Sequence, residues 1–394
     1  RPHIDAAKLT EIMKLLSGMV RAPVLSDANV RAEVPIVLAE MRERGGAAQR
    51  SGDATRKTLF AGQRLATRSP IGTLETLSAA RGRSVSNFYK RWYRPENTVI
   101  VAVGDMDPQI LAAEIEKWFG EWKGSGKAVA APDFGDPVAP VGADPANPVG
   151  ETSVTVESDL PRSFTYAVLR PWRPVQDTIA YNQGLLRDSL AQQLINRRLE
   201  ARARGGGSYL YAQVQQDDVS RSTDATFVSF APIGEDWRGA LTDVRAVIAD
   251  ALATPPSEEE LAREIAEFEQ VFVSSVEERA VLAGGRLADD IVQAVDIREA
   301  VAAPETVLTV FRGMKDTITP EQILDHTRAL FDGAVIRASY TTPATGEADA
   351  AALRAALSAP VEPDASARVT ASEISFADQP AIGEPGEVAS AQPI

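Results

Sequence analysis

Between residues 124 and 150 the chain turns to Gly, Ala, Pro and Asp, with repeated prolines and almost no aromatic residue. Proline removes a backbone donor, so neither a regular helix nor a central strand can run through such a stretch. It reads as an interdomain linker and divides the chain into segments 1–123 and 151–360, each long enough for its own core. Residues 361–394 have linker character again, as expected of a chain cut from something longer.

The first segment is mostly helical in pattern. Leu9, Ile12, Met13, Leu16 and Val20 recur at helical spacing over residues 5–20, with Asp5 able to cap the start. After LSDAN, with Ser26 or Asp27 as cap, a second helix carries Val30, Val34, Val37, Leu38 and Met41; Pro35 is expected to kink it or shift its start, and GGAAQRSGD to end it. Segments 56–67 and 84–93 also read as helices, separated by a turn at Pro70 and Gly72. TVIVAVGD, residues 98–105, is the one clear strand before the linker; it leads into a helix capped by Asp107 with Pro108 in its first turn.

The second segment opens with strands. ETSVTVESD alternates at period two and SFTYAVLRPW follows a proline turn, before a long amphipathic helix over residues 178–204. GGGSYLYAQVQQDD and TDATFVSFAPIG read as a strand pair, then come two helices, the second opened by a capping pattern at Ser257. PEQILDHTRALFD is a further helix and VIRASYTTP a closing strand. This order predicts an α+β fold with helices against a mostly antiparallel sheet.

Charge and rare residues exclude several functions. A formal net charge of −14, with scattered Lys and Arg, argues against a nucleic-acid footprint or an anionic membrane surface. No apolar run is long enough to span a bilayer. Without cysteine there is no disulfide, thiolate metal site or cysteine nucleophile. The chain begins RPHID rather than at Met, which suggests that its natural start lies elsewhere. Only His3 and His326 are present, in contexts that cannot form HxxEH, and each reads as an ordinary surface or helix residue. RARGGGSY lacks the ending of a phosphate loop and reads as a helix-to-strand turn, and the acidic run SEEELAREIAEFE as a solvated helix face. Glu33 and Glu40 lie seven residues apart, about two turns, so a helix would present both on one face. On the residues alone they are two solvated acids.

SNFYKRWYRPENTVIVAVGDMDPQILAAEIEKWFGEW resembles the pitrilysin or insulinase family of zinc metallopeptidases, with Tyr93, Pro95, Asn97, Gly104, Asp105, Phe119 and Gly120 at the matching places. SPIGTLETL, with Gly72 and Glu75, resembles the turn upstream of it, and LLRDSLAQQLINRRLEARARGGGSYLYAQV resembles the family's second domain. The resemblance runs over roughly residues 5–345.

The resemblance implies two related pitrilysin-like domains, the first incomplete, and a zinc-dependent endopeptidase for the intact protein. Glu40 falls where the family has its carboxylate zinc ligand and Glu33 where it has a supporting acid. Two histidine ligands and the general base would come from an inverted HxxEH segment that this chain lacks, so the chain alone is expected to be inactive. The implied substrates are peptides or unfolded segments, bound by strand addition in a clamshell chamber closed by a second half of the same chain or a partner subunit. Family habit favours the periplasm. Arg204 and Tyr209 sit near a place where some members bind substrate, but an amino-terminal half does not bring that segment to the zinc, and both are left outside the site. The alternative is a non-catalytic half that acts as chamber wall, scaffold or peptide-binding module. A respiratory-complex assembly protein of the same fold is less attractive on composition.

Overall fold

The computed structural model describes residues 6–297 and 301–368; Asp5, His3 and residues 369–394 lie outside the described residues. Before the linker come α1 (Ala6–Arg21), α2 (Asp27–Arg44), α3 (Ala47–Leu59), α4 (Leu74–Ala79), α5 (Gly82–Trp92) and α6 (Pro108–Phe119). Leu9 and Met13 of α1 bury against Phe119 of α6, with Ile100 and Met106 packed at the edge of that cluster. Ser17 of α1 donates to the Trp118 carbonyl at 2.8 Å, fixing the crossing. At Gly82 the start of α5 comes so close to α2 that a Cβ would lie 2.6 Å from the Asp27 nitrogen, so only glycine fits there without a shift. The Gly82 amide donates to the Asp27 carboxylate at 2.7 Å.

Three expectations for this region need correction. GGAAQRSGD ends α2 at Gly45, but α3 starts two residues later and stops at Leu59, well short of residue 67. Pro35 neither breaks α2 nor delays its start: the loss of one bond is tolerated in an 18-residue helix capped by Ser26, whose Oγ accepts from the Asn29 amide at 3.1 Å. TVIVAVGD is not part of a sheet. Residues 98–103 have no strand beside them among the described residues, and a strand exists only through a neighbour.

After the linker, β1 (Val149–Val156), β2 (Ser163–Pro171), β3 (Tyr209–Val219), β4 (Thr223–Pro232) and β5 (Val335–Thr342) form one sheet in the order β1-β5-β2-β4-β3. Only β1 and β5 pair in parallel; every other pairing is antiparallel. The helices are α7 (Ile179–Arg204), α8 (Trp237–Ala253), α9 (Glu258–Glu278), α10 (Gly284–Ile297), α11 (Pro304–Met314), α12 (Pro320–Phe331) and α13 (Ala350–Ser358). Three of them, α10, α11 and α13, are additions to the sequence reading.

The sheet has two unlike faces. On one, Phe164, Phe230, Tyr340 and Trp237 stack beneath α7 and α8 in a continuous apolar core. On the other, α3 lies over β1 and β5 through hydroxyls: Ser51 reaches Thr341 at 2.7 Å, Thr55 donates to Ser339 at 3.0 Å, and Thr58 to Ser153 at 2.7 Å. Leu59 and Phe60 close that seam with Ala167, Leu169 and Val335. Arg337, fully buried in β5, donates to Glu151 of β1 and to the carbonyls of Leu59 and Val138, the latter in the stretch between α6 and β1. Beyond α3 this face is open, with Tyr211, Gln213 and Gln215 of β3 exposed beside the Thr165–Ser229 hydroxyl pair.

The acidic run that opens α9 is not simply a solvated face. Ser257 and Glu260 make the expected reciprocal cap, but Glu260 and Glu264 are 3% and 2% exposed, because α9 packs on α7 where Arg198 and Arg197 meet them. Arg198 also reaches Asp250 of α8 at 3.2 Å, and Asp250 receives Arg368 at 2.8 Å, which docks the end of the described chain.

Candidate functional site

The sequence points to α2, which rests on α4 and α5 and buries only Val30. Glu33 and Glu40 are both exposed, about 10 Å apart along the axis by helical rise. Glu40 holds an ion pair with Arg44 at 2.7 Å and is 46% exposed, a surface pair of small energy that another cation can displace.

The donor set is incomplete for zinc. A catalytic zinc takes three protein ligands, and among the described residues no group of three His, Cys, Asp or Glu could hold a metal ion. His326 is on α12 with its Nδ1 2.6 Å from Asp188 of α7, in the packed sheet unit. These residues can supply one carboxylate to a metal but cannot build its site. The two outlying candidates are accounted for: Tyr209 is buried with its hydroxyl on the Leu199 carbonyl at 2.7 Å, and Arg204 pairs with Glu200 on the surface of α7. Gly205 ends that helix and Gly206 takes φ +91°, as a helix-to-strand turn requires.

A cleft of about 850 Å³ separates the loop after α5 from the β3–β4 turn and α10. Trp92, Val99, Trp172, Arg173, Arg221 and Val292 are among its lining residues. Its turn is strained: Ser220 and Arg221 take φ +55° and +50°, a region unfavourable to residues with a Cβ, and Arg221 is held by its amide on Asp218 and its guanidinium on Asp296. An adjoining recess contains Asp217, Asp218 and Asp224. The Asp224 carboxyl is pushed up to about 6, first by burial and then by the Asp218 charge, with Arg170 pulling the other way. Nothing in the one-dimensional pattern marked this cleft, because its walls come from five separated stretches.

Comparison with known proteins decides the relationship. A model of the peptidase M16 inactive domain matches residues 83–268, and the probable zinc protease PqqL of Escherichia coli K12 is 30% identical over 115 residues, 29% of this chain and 12% of that protein. Over residues 83–268 the chain is similar to the peptidase M16 inactive domain. The solved first half of the periplasmic protease PqqL from Escherichia coli superposes with a TM-score of 0.78 at 19% identity, covering 91% of this chain and 76% of that one. Against the longer PqqL structure the matched part is 39% of that chain, so this chain spans well under half of that relative. An insulinase-family protease from Yersinia pestis aligns at TM-score 0.66 and 17% identity, over 90% of this chain and 74% of that one. The family's motif residues have clear local roles here. Pro95 and Asn97 form a tight turn in which Asn97 donates to the Trp92 carbonyl at 3.2 Å, and Phe119 is a core residue.

Proposed function

We propose that this chain is part of a zinc-dependent metalloendopeptidase that cleaves peptides or unfolded segments, with Glu40 as the carboxylate ligand and Glu33 supporting a ligand by hydrogen bond. The observation that carries the reading is α2: two acids on one exposed face, one free of any bond among the described residues and the other tied only by a surface pair. Two histidines would have to come from polypeptide outside the described residues, and the catalytic chamber from a second half or a partner subunit. The zinc protease relatives support the metal, and the periplasmic protease PqqL supports a periplasmic location.

A second reading has its own support. The matched family model is that of an inactive domain, and the open β2–β4–β3 face, lined by Tyr211, Gln213 and Gln215, suits the wall of a peptide chamber. Zinc content of the natural full-length polypeptide separates the two. The peptidase reading expects about one zinc per chain, lost in Glu40→Gln, and affinity weakened about 10–100-fold in Glu33→Gln. A Glu40→Gln protein that keeps its zinc overturns the assignment, and a wild-type protein without zinc leaves the wall reading.

A further inference from the structure

Helix α2 meets α3 at a corner of two residues, Gly45 and Gly46. Gly46 takes φ −69° with open space where a Cβ would stand, so glycine is not needed there for shape. It leaves the corner loose and offers no side chain to cap α3. Arg50, in the first turn of α3, bridges the corner to the sheet. Its Nη1 donates to the Gly45 carbonyl at 3.2 Å, while Nε and Nη2 donate to the two carboxylate oxygens of Glu157 at 2.7 and 2.6 Å.

Glu157 is a fixed anchor. It directly follows β1, and its amide donates at 2.9 Å to the carbonyl of Thr342, the last residue of β5. Helix α3 is itself held on β1 and β5 by the hydroxyls of Ser51, Thr55 and Thr58. On α2, by contrast, the buried Val30 and the Asp27–Gly82 bond lie at the end far from the corner. Glu40 stands in the half nearer Gly45, so a change of angle at the corner moves it against the sheet. An exposed ion pair adds little to global stability, but a two-pronged guanidinium–carboxylate pair fixes orientation.

We infer that Arg50 is a positioning residue for Glu40, locking the α2–α3 corner onto the end of β1 through one guanidinium. Three of its nitrogens are engaged at once, on one carbonyl and one carboxylate, which the single ammonium of lysine cannot reproduce. The consequence for a metal rests on the zinc reading of Glu40; the clamp itself rests on the bonds.

The test uses the natural full-length polypeptide and reads zinc affinity by chelator competition, amide hydrogen exchange and unfolding temperature on each variant. Arg50→Gln should weaken zinc about 10–100-fold, the range for groups that orient a ligand. It should also speed exchange about tenfold or more at Gly45 and Arg50, whose amides close the corner on the Arg42 and Gly46 carbonyls, with the unfolding temperature unchanged. Arg50→Lys keeps the charge without the fork and should recover only part of the affinity. Glu157→Gln should match Arg50→Gln, and the double variant should be no worse than either. Parental zinc affinity in Arg50→Gln overturns the positioning role. Zinc loss accompanied by a lower unfolding temperature and faster exchange throughout α3 and β1 overturns it in favour of plain structural support. A parent without zinc fails the peptidase reading alone, and parental exchange at the corner of Arg50→Gln then overturns the clamp.

Discussion

The α1–α6 pair and the sheet with its covering helices achieve burial differently. In the first, α1 and α6 share a thin cluster of Leu9, Met13 and Phe119, while Ile12, Leu15 and Met19 face outwards. In the second, aromatic residues of three strands stack with Trp237 in an interior sealed by α7 and α8. An apolar stripe signals that a helix has a partner layer, but not that the layer is in the same stretch of chain. The second unit carries its own layer; the first leaves its stripe uncovered among the described residues.

The largest effect is expected at Arg198→Met in the sheet unit, which leaves Glu260 buried without its cation and Asp250 with Arg368 alone, and should cost about 3–5 kcal/mol in denaturant unfolding. Truncation of matched aromatics sharpens the contrast. Phe164→Ala should cost about 3–5 kcal/mol and Phe119→Ala about 2 kcal/mol, because a thin, edge-exposed cluster collapses around a smaller side chain more readily. Equal costs would break the comparison. A smaller effect belongs to Asp224. Its folded carboxyl titrates near 6, above its unfolded value, so the folded state binds the extra proton and stability falls as pH rises from about 4 to about 6. Asp224→Asn should therefore stabilise by about 1–2 kcal/mol at pH 7 and have little effect at pH 4, read from paired denaturation curves. Ser26→Ala should cost about 1 kcal/mol through the lost cap of α2, visible as faster amide exchange confined to that helix.

Much of the sheet unit was legible in the sequence because its signals are local. Strand signals gave all five strands, β1 by its period-two alternation, and Ser257 announced α9. What escaped depends on partners distant in the chain. TVIVAVGD has strand chemistry but no neighbour, Glu264 is an acid in an acidic run until Arg197 arrives from α7, and Arg337 is one charge in an apolar strand until three separate segments converge on it. The candidate metal site was legible only as far as it is present. The spacing of Glu33 and Glu40 follows from helical geometry, but a ligand set is a property of several segments, and no group of three that could hold a metal ion is present among the described residues.

The parallel pairing of β1 with β5 also has a kinetic side. Ser153 on β1 and Ser339 on β5, register partners, are 186 residues apart in the chain. At ordinary translation rates β1 emerges roughly ten to forty seconds before β5, its one strand neighbour among the described residues. During that interval α3 has no completed platform to dock on, so the hydroxyl seam, and with it the position of the helix that follows Glu40, can be set only late in synthesis.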